Sequence, residues 1–320
     1  MNAFSGIIGH DKIQEVLSRN LEHETLPHAL LFVGSDGLGK TCVAQKLIRL
    51  LLNHSGDMGL HSDYLELSRL TDEKTGKRKS TISVAQVREL NSRLGLTSIS
   101  GGWKVVFIEE ASHLSSGASN ALLKTIEEPK GKTLFLLTAS SGDRLPATIV
   151  SRCQTLRFSP VPRADIKTGL VKMGFSPVDA GTASAQSLGR PGRAIKFLKE
   201  SVYRAQQETG MEQAVRFFSS PLATRLGQVT DLIPKTEIQK DDALLETLDQ
   251  WELVCRDLLF HQLGLGELRV FPETTKMNVL GETLTQEQLL SVFDRMKQVR
   301  IATKQHINSH LALEHIALSI

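Results

Sequence analysis

Residues Gly34-Ser35-Asp36-Gly37-Leu38-Gly39-Lys40-Thr41 match the pattern G-x-x-x-x-G-K-[ST] and restrict what this chain can become more than any other stretch. The flanks are those the pattern requires. The apolar run Ala29-Leu30-Leu31-Phe32-Val33 reads as a strand, and Val43 to Leu50 carries helical periodicity. Glycines let the backbone curl so that successive N–H groups converge on an anion, and the N-terminus of the following helix adds positive potential. In such a loop Lys40 reaches the β- and γ-phosphates of a nucleotide, and the Thr41 hydroxyl helps hold Mg²⁺. A bare glycine-rich turn between strand and helix would not need this order of Gly, Lys and Thr.

A chain of 320 residues has room for two or three domains, each with its own core. The net charge of +3 is too small to name a partner, so binding has to be argued from local features. The start, Met1 to Gly6, lacks the basic and apolar regions of a signal peptide. No apolar run approaches the ~20 residues of a membrane span. Cys42, Cys153 and Cys255 are far apart and form no C-x-x-C pair. The expectation is free thiols in a reducing cytoplasm, with neither disulfides nor a zinc site.

Strand candidates lie at 28–33, 63–67, 103–109, 133–138 and 154–158, with helical stretches near 10–22, 39–53, 84–94 and 117–127 between them. Strands separated by helices imply βαβ crossovers and a parallel sheet covered on both faces. Pro160 and Pro162 then break the texture. Beyond them only helical periodicity remains: three short helices in 163–202, then longer ones, of which 242–263 and 284–318 are the clearest. The expected architecture is an α/β nucleotide domain (1–160), a small helical domain (161–204) and an all-helical domain (205–320).

A nucleotide hydrolase also needs acid at the end of a neighbouring strand. The run Trp103 to Ile108 ends in Glu109-Glu110. The pair fits either a solvated strand end or a catalytic pair, in which the first carboxylate would orient Mg²⁺ and the second would polarise the attacking water. Glu109 stands where Asp is usual, and the extra methylene makes binding safer to expect than hydrolysis. The strand from Thr133 delivers Thr138-Ala139-Ser140-Ser141, in which Thr138 or Ser140 fits either a contact to the γ-phosphate or the water, or a polar strand end without a role. Arg152, in Ser151-Arg152-Cys153, fits either an ordinary surface ion pair or an arginine finger aimed at a neighbouring subunit's nucleotide. Arg193 fits either a nucleotide contact made within its own chain or a packed helix terminus. Lys74 to Lys79, centred on Lys77-Arg78-Lys79, is the sharpest basic cluster; it reads as a solvated hairpin or as a contact for a DNA phosphate.

The order of Ile7-Ile8-Gly9-His10, Leu26-Pro27-His28-Ala29, the phosphate loop, Ile82 to Leu90, Asn120 to Pro129 and Ser151-Arg152-Cys153 resembles the clamp-loader branch of the AAA+ ATPases. Asn120 to Pro129 and the Ser-Arg-Cys triplet are specific to that branch, whereas the phosphate loop is generic. The match is strong over 1–200 and thin over 201–300. The resemblance implies an AAA+ parallel-sheet domain, a helical lid and a helical collar, in a cytoplasmic subunit of a hetero-oligomeric ring. Such a ring opens a sliding clamp and places it on primed DNA, using ATP and Mg²⁺. Arg152 would complete the ATP site of an adjacent motor subunit, and Arg193 falls on the sensor position of the lid. Relatives commonly carry a four-cysteine zinc module after the first long helix. Here residues 51–70 hold His54 and His61 but no cysteine. The length and Glu109 favour a non-motor subunit over the longer motor subunits, gamma and tau. The rivals are a gamma- or tau-like motor ATPase, a nucleotide-free structural stator, and a stand-alone kinase for a small metabolite.

Overall fold

The computed structural model describes residues 3–72, 76, 78–95, 102–142, 145–233, 240–271, 275–303 and 307–320. The chain divides into two compact units, one comprising residues 1–174 with 189–192, the other 175–188 with 193–320.

In the first unit the expected strands form a five-stranded sheet. They are β1 (Ala29–Val33), β2 (Tyr64–Leu67), β3 (Lys104–Ile108), β4 (Thr133–Ala139) and β5 (Gln154–Arg157), arranged β2-β3-β4-β1-β5 with every pairing parallel. β1 lies inside the sheet, Leu30 facing Leu136 on one side and Gln154 on the other. Its five residues are all buried, because helices cover both faces. Alternation sorts the strand residues. Leu31, Val106 and Leu137 point to a core shared with α3 (Val84–Leu94) and α4 (Ser116–Glu127). Leu30, Phe32, Phe107 and Leu136 point to the opposite core, built with α1 (Asp11–Glu22) and α2 (Lys40–Leu52). Two short helices, α5 (Ala147–Val150) and α6 (Arg163–Lys172), complete the unit.

Local chemistry sets the helix ends. Ser83 and Gln86 form a reciprocal capping box on α3, and the Ser115 hydroxyl accepts the Ala118 N–H at the start of α4. Pro129 follows the end of α4, where a proline cannot continue a helix. β4 then carries the chain back to the edge that holds the phosphate loop: the Gly34 N–H donates to the Ala139 carbonyl at 3.1 Å.

The second unit is helical. Its elements are α7 (Pro177–Gln186), α8 (Pro191–Lys199, whose first two residues belong to the first unit), α9 (Ser201–Phe218), α10 (Leu222–Leu232), α11 (Lys240–Gln262), α12 (Thr275–Thr283), α13 (Gln286–Ala302) and α14 (Ser309–Ala317). Trp251 of α11 is its largest fully buried side chain. It stacks on Phe217 at 4.2 Å and meets Phe218 edge-on at 5.6 Å. The three short helices expected in 163–202 are α6, α7 and α8. The stretch 284–318 is not one helix: Asn308 is extended, and its side chain accepts the N–H groups of His310 and Leu311, which starts α14 afresh. Among the described residues no helix is long and apolar enough to cross a membrane.

Candidate nucleotide-binding site

The phosphate loop, Gly34 to Thr41, leaves the C-terminal end of β1. The connection leaving β1 runs to β2 at one edge of the sheet, and the one leaving its neighbour β4 runs to β5 at the other, the kind of place where open α/β sheets bind ligands. Gly37 and Gly39 have φ of 81° and 98°, backbone that a side chain would strain. A Cβ on Gly34 would stand 2.5 Å from the Phe158 carbonyl oxygen. Lys40 opens α2 and is only 7% exposed. Its Nζ donates to the carbonyls of Gly34 (2.5 Å) and Ser35 (3.0 Å) and lies 3.3 Å from Asp36 Oδ1. An ammonium folded over the loop in this way stands where a polyphosphate would displace those acceptors.

Thr41, one residue further, donates its hydroxyl to Glu109 Oε1 at 3.4 Å. Glu109 sits just past β3, its N–H bonded to the Leu67 carbonyl of β2. A hydroxyl and a carboxylate side by side form the hard-oxygen set that Mg²⁺ takes, so Thr41 and Glu109 fit that ion. Glu110 adopts left-handed backbone (φ 51°). Its N–H donates to the Thr138 hydroxyl at 3.1 Å, and its Oε2 accepts both Arg69 Nε (3.0 Å) and Nη2 (2.6 Å). Thr138 is buried at the end of β4 beside Glu110, and Ser140 is exposed beyond it. The phosphate loop, Glu109, Glu110 and Thr138 are thus gathered on one sheet edge.

Arg152 lies after α5 and is paired with Glu127 near the end of α4. Its Nη1 donates to the Thr148 carbonyl at 2.8 Å, and a third of the side chain stays exposed. Arg193, in the second unit, is ion-paired there: its Nη1 is 2.5 Å from Asp249 Oδ2, and Arg300 occupies the other oxygen at 2.6 Å. Lys74 and Lys77 lie outside the described residues. Arg78 and Lys79 are exposed, and Arg78 bridges antiparallel to Thr71. His54 and His61 stack edge-on at 5.1 Å, and among the described residues no group of three His, Cys, Asp or Glu side chains is placed to hold a metal ion.

Three residues matter that sequence reasoning did not single out for a role. Arg69 reaches Glu110 across 41 positions, a pairing with no local sequence signal. The Gly192 N–H donates to the Gly37 carbonyl at 2.8 Å, and a Cβ on Gly192 would stand 2.9 Å from that oxygen. His10 Nε2 lies 2.9 Å from the Leu38 carbonyl, and burial holds its imidazole below the usual histidine range. The Ile7-Ile8-Gly9-His10 segment was visible in the sequence, but nothing there said which atom His10 would meet.

Comparison with known proteins places the chain. Residues 9–162 match the family model described as DNA polymerase III, delta subunit. DNA polymerase III subunit delta' of Haemophilus influenzae is 30% identical over 95% of this chain and 92% of its own length. The Escherichia coli delta' subunit is 33% identical over 56% of this chain and 57% of that protein. The Escherichia coli tau subunit is 25% identical over 97% of this chain but only 46% of tau. The chain therefore spans nearly all of one delta' relative, little more than half of another and less than half of tau. It belongs to the DNA polymerase III delta' subunit family.

Proposed function

We propose that the chain is a clamp-loader subunit that binds ATP and Mg²⁺ at Gly34 to Thr41. It works in a hetero-oligomeric ring that places a sliding clamp on primed DNA. The observation that carries this reading is the meeting of an intact phosphate loop with the Thr41–Glu109 oxygen pair at 3.4 Å. The loop amides and Lys40 would take the phosphates, and Thr41 with Glu109 would hold the ion, which neutralises charge on the phosphate oxygens when bound. Turnover by this subunit alone would be weak. Glu110 is already engaged by Arg69, and a carboxylate neutralised by a guanidinium is a poor base for water.

Residues 161–204 would act as the lid and 205–320 as the collar that joins the ring. Arg152 would exchange Glu127 for the γ-phosphate of an adjacent motor subunit's ATP, stabilising charge in that subunit's transition state. Arg193 would do the same for this chain's own nucleotide once released from Asp249.

Titration calorimetry of the purified chain with Mg²⁺ and a non-hydrolysable ATP analogue, wild type against Lys40→Ala, is the test. Binding present in the wild type and lost in the variant supports the site. Equal heats in both would show binding that does not use Lys40 and refute this site, and none in either would remove nucleotide binding and leave a structural subunit. DNA- and clamp-stimulated ATPase activity of the isolated chain would point instead to a motor subunit.

A further inference from the structure

We infer that His10 is a positioning residue for the phosphate loop, holding the Leu38 carbonyl so that the opposite edge of that peptide faces an incoming anion. The inference rests on the nucleotide reading above for its ligand, but not for its geometry. A carbonyl can only accept, so the 2.9 Å contact requires the hydrogen on Nε2 of the imidazole. The preceding peptide is tied in the same manner, the Gly37 carbonyl accepting the Gly192 N–H at 2.8 Å. In a trans peptide C=O and N–H point in opposite directions. Two consecutive carbonyls fixed by donors on the protein side therefore turn the N–H groups of Leu38 and Gly39 the other way. Gly37 and Gly39, both left-handed, supply the backbone freedom this orientation needs.

His10 is itself held. It lies at φ 62°, uncommon and strained for a residue with a side chain, so the surroundings must enforce it. The Gln14 side chain donates to the Gly9 carbonyl at 2.6 Å, anchoring the turn into α1. Gly9 at φ 71° packs where any Cβ would stand 2.6 Å from Val161. The imidazole packs against the Phe158 ring at 4.7 Å with the two planes tilted by 56°, and Phe158 is fixed in turn, its N–H bonded to the Val33 carbonyl at 2.7 Å and its ring 5.2 Å from Phe32. A strained, packed and desolvated histidine spending its one donor on the middle of the loop is placed to orient it.

The test compares wild type, His10→Phe and His10→Gln as full chains without nucleotide. His10→Phe keeps a ring against Phe158 and deletes the donor, whereas His10→Gln restores an N–H of similar reach. Amide hydrogen exchange of peptides covering 34–41 is the primary readout. The expectation is faster exchange in that segment alone for the phenylalanine variant, and a return to the wild-type rate for glutamine. With Mg²⁺ and a non-hydrolysable ATP analogue, affinity should fall about fivefold to tenfold in His10→Phe, the size of one lost hydrogen bond, and recover in His10→Gln. Unchanged exchange over 34–41 in His10→Phe overturns the inference, as does an increase spread equally over β1 and β4. Loop-specific loosening in a chain whose wild type binds no analogue would sustain the positioning role and refute the nucleotide reading instead.

Discussion

Asp249 offers the sharpest test of the energetics of the second unit. Its carboxylate is buried, with Arg193 at 2.5 Å on one oxygen and Arg300 at 2.6 Å on the other. In Asp249→Asn the shape persists, but a single neutral oxygen remains to serve two guanidinium groups. Charge-assisted hydrogen bonds are worth about 1.5–3 kcal/mol each, and breaking one partner of a buried pair is usually worse than its net contribution. Both arginine side chains are 25% exposed and Arg300 keeps Glu252 at 2.9 Å, so water and that carboxylate recover part of the loss. The expected destabilisation is about 2–3 kcal/mol. The reporter lies two residues away: Trp251, stacked on Phe217, becomes the sole tryptophan once Trp103 is replaced by Phe. Urea titration of its fluorescence should show the midpoint lowered by about 1 M, taking a slope near 2 kcal/mol/M. Arg193→Ala, which leaves Asp249 with Arg300, should move it less. A midpoint displaced by under about 0.3 M in Asp249→Asn would mean that solvent already carries the pair and that the reasoning about burial is wrong.

Two other expectations follow from the geometry. Arg152→Ala should alter the chain's own stability by less than about 1 kcal/mol, because its pair with Glu127 is solvent-facing. Reconstituted with motor subunits, the same variant should lower ATPase activity about tenfold or more, and Arg152→Lys, lacking the planar fork, should restore little of it; undiminished activity in the alanine variant would refute the trans role. Because burial depresses the His10 pKa, the unfolded chain binds a proton that the folded chain resists between the lowered value and the ordinary 6.5. Stability from this group is present above 6.5 and lost as pH falls through that window. The gap in unfolding free energy between wild type and His10→Phe should therefore narrow from pH 7.5 to 5.5, and a gap that widens would contradict the desolvated, neutral imidazole.

The strands were legible because a parallel sheet covered on both faces demands continuous apolar runs, and Ala29–Val33 and the residues 105–108 of β3 are such runs. The phosphate loop was legible because its glycines and Lys40 are contiguous. What pattern could not give were contacts made across the fold. Thr138 and Ser140 looked interchangeable at a strand tip, and only β3–β4 pairing brings the Thr138 hydroxyl to the Glu110 amide. Glu110 read as a free carboxylate because Arg69 lies on another segment, just after β2. The break between α13 and α14 was hidden by apolar spacing that carries through it; the Asn308 side chain, a cap rather than a helix former, marks it.

The path of the backbone at Gly189–Gly192 has a consequence for how this protein can be taken apart. The chain leaves the sheet unit after Gly174, spends residues 175–188 in the helical unit, and comes back for four residues before leaving again. Those four include the amide that holds the Gly37 carbonyl and the Gly189 carbonyl that accepts the Val161 N–H at 2.8 Å. A cut at 160 or at 174, natural on a map of consecutive domains, would therefore deliver the sheet with an unsupported phosphate loop. The smallest fragment that keeps the loop's backing must run through Gly192 and carry a helix of the other unit with it. The two units are stitched together by the chain, and neither can be inherited, swapped or expressed as a simple block of sequence.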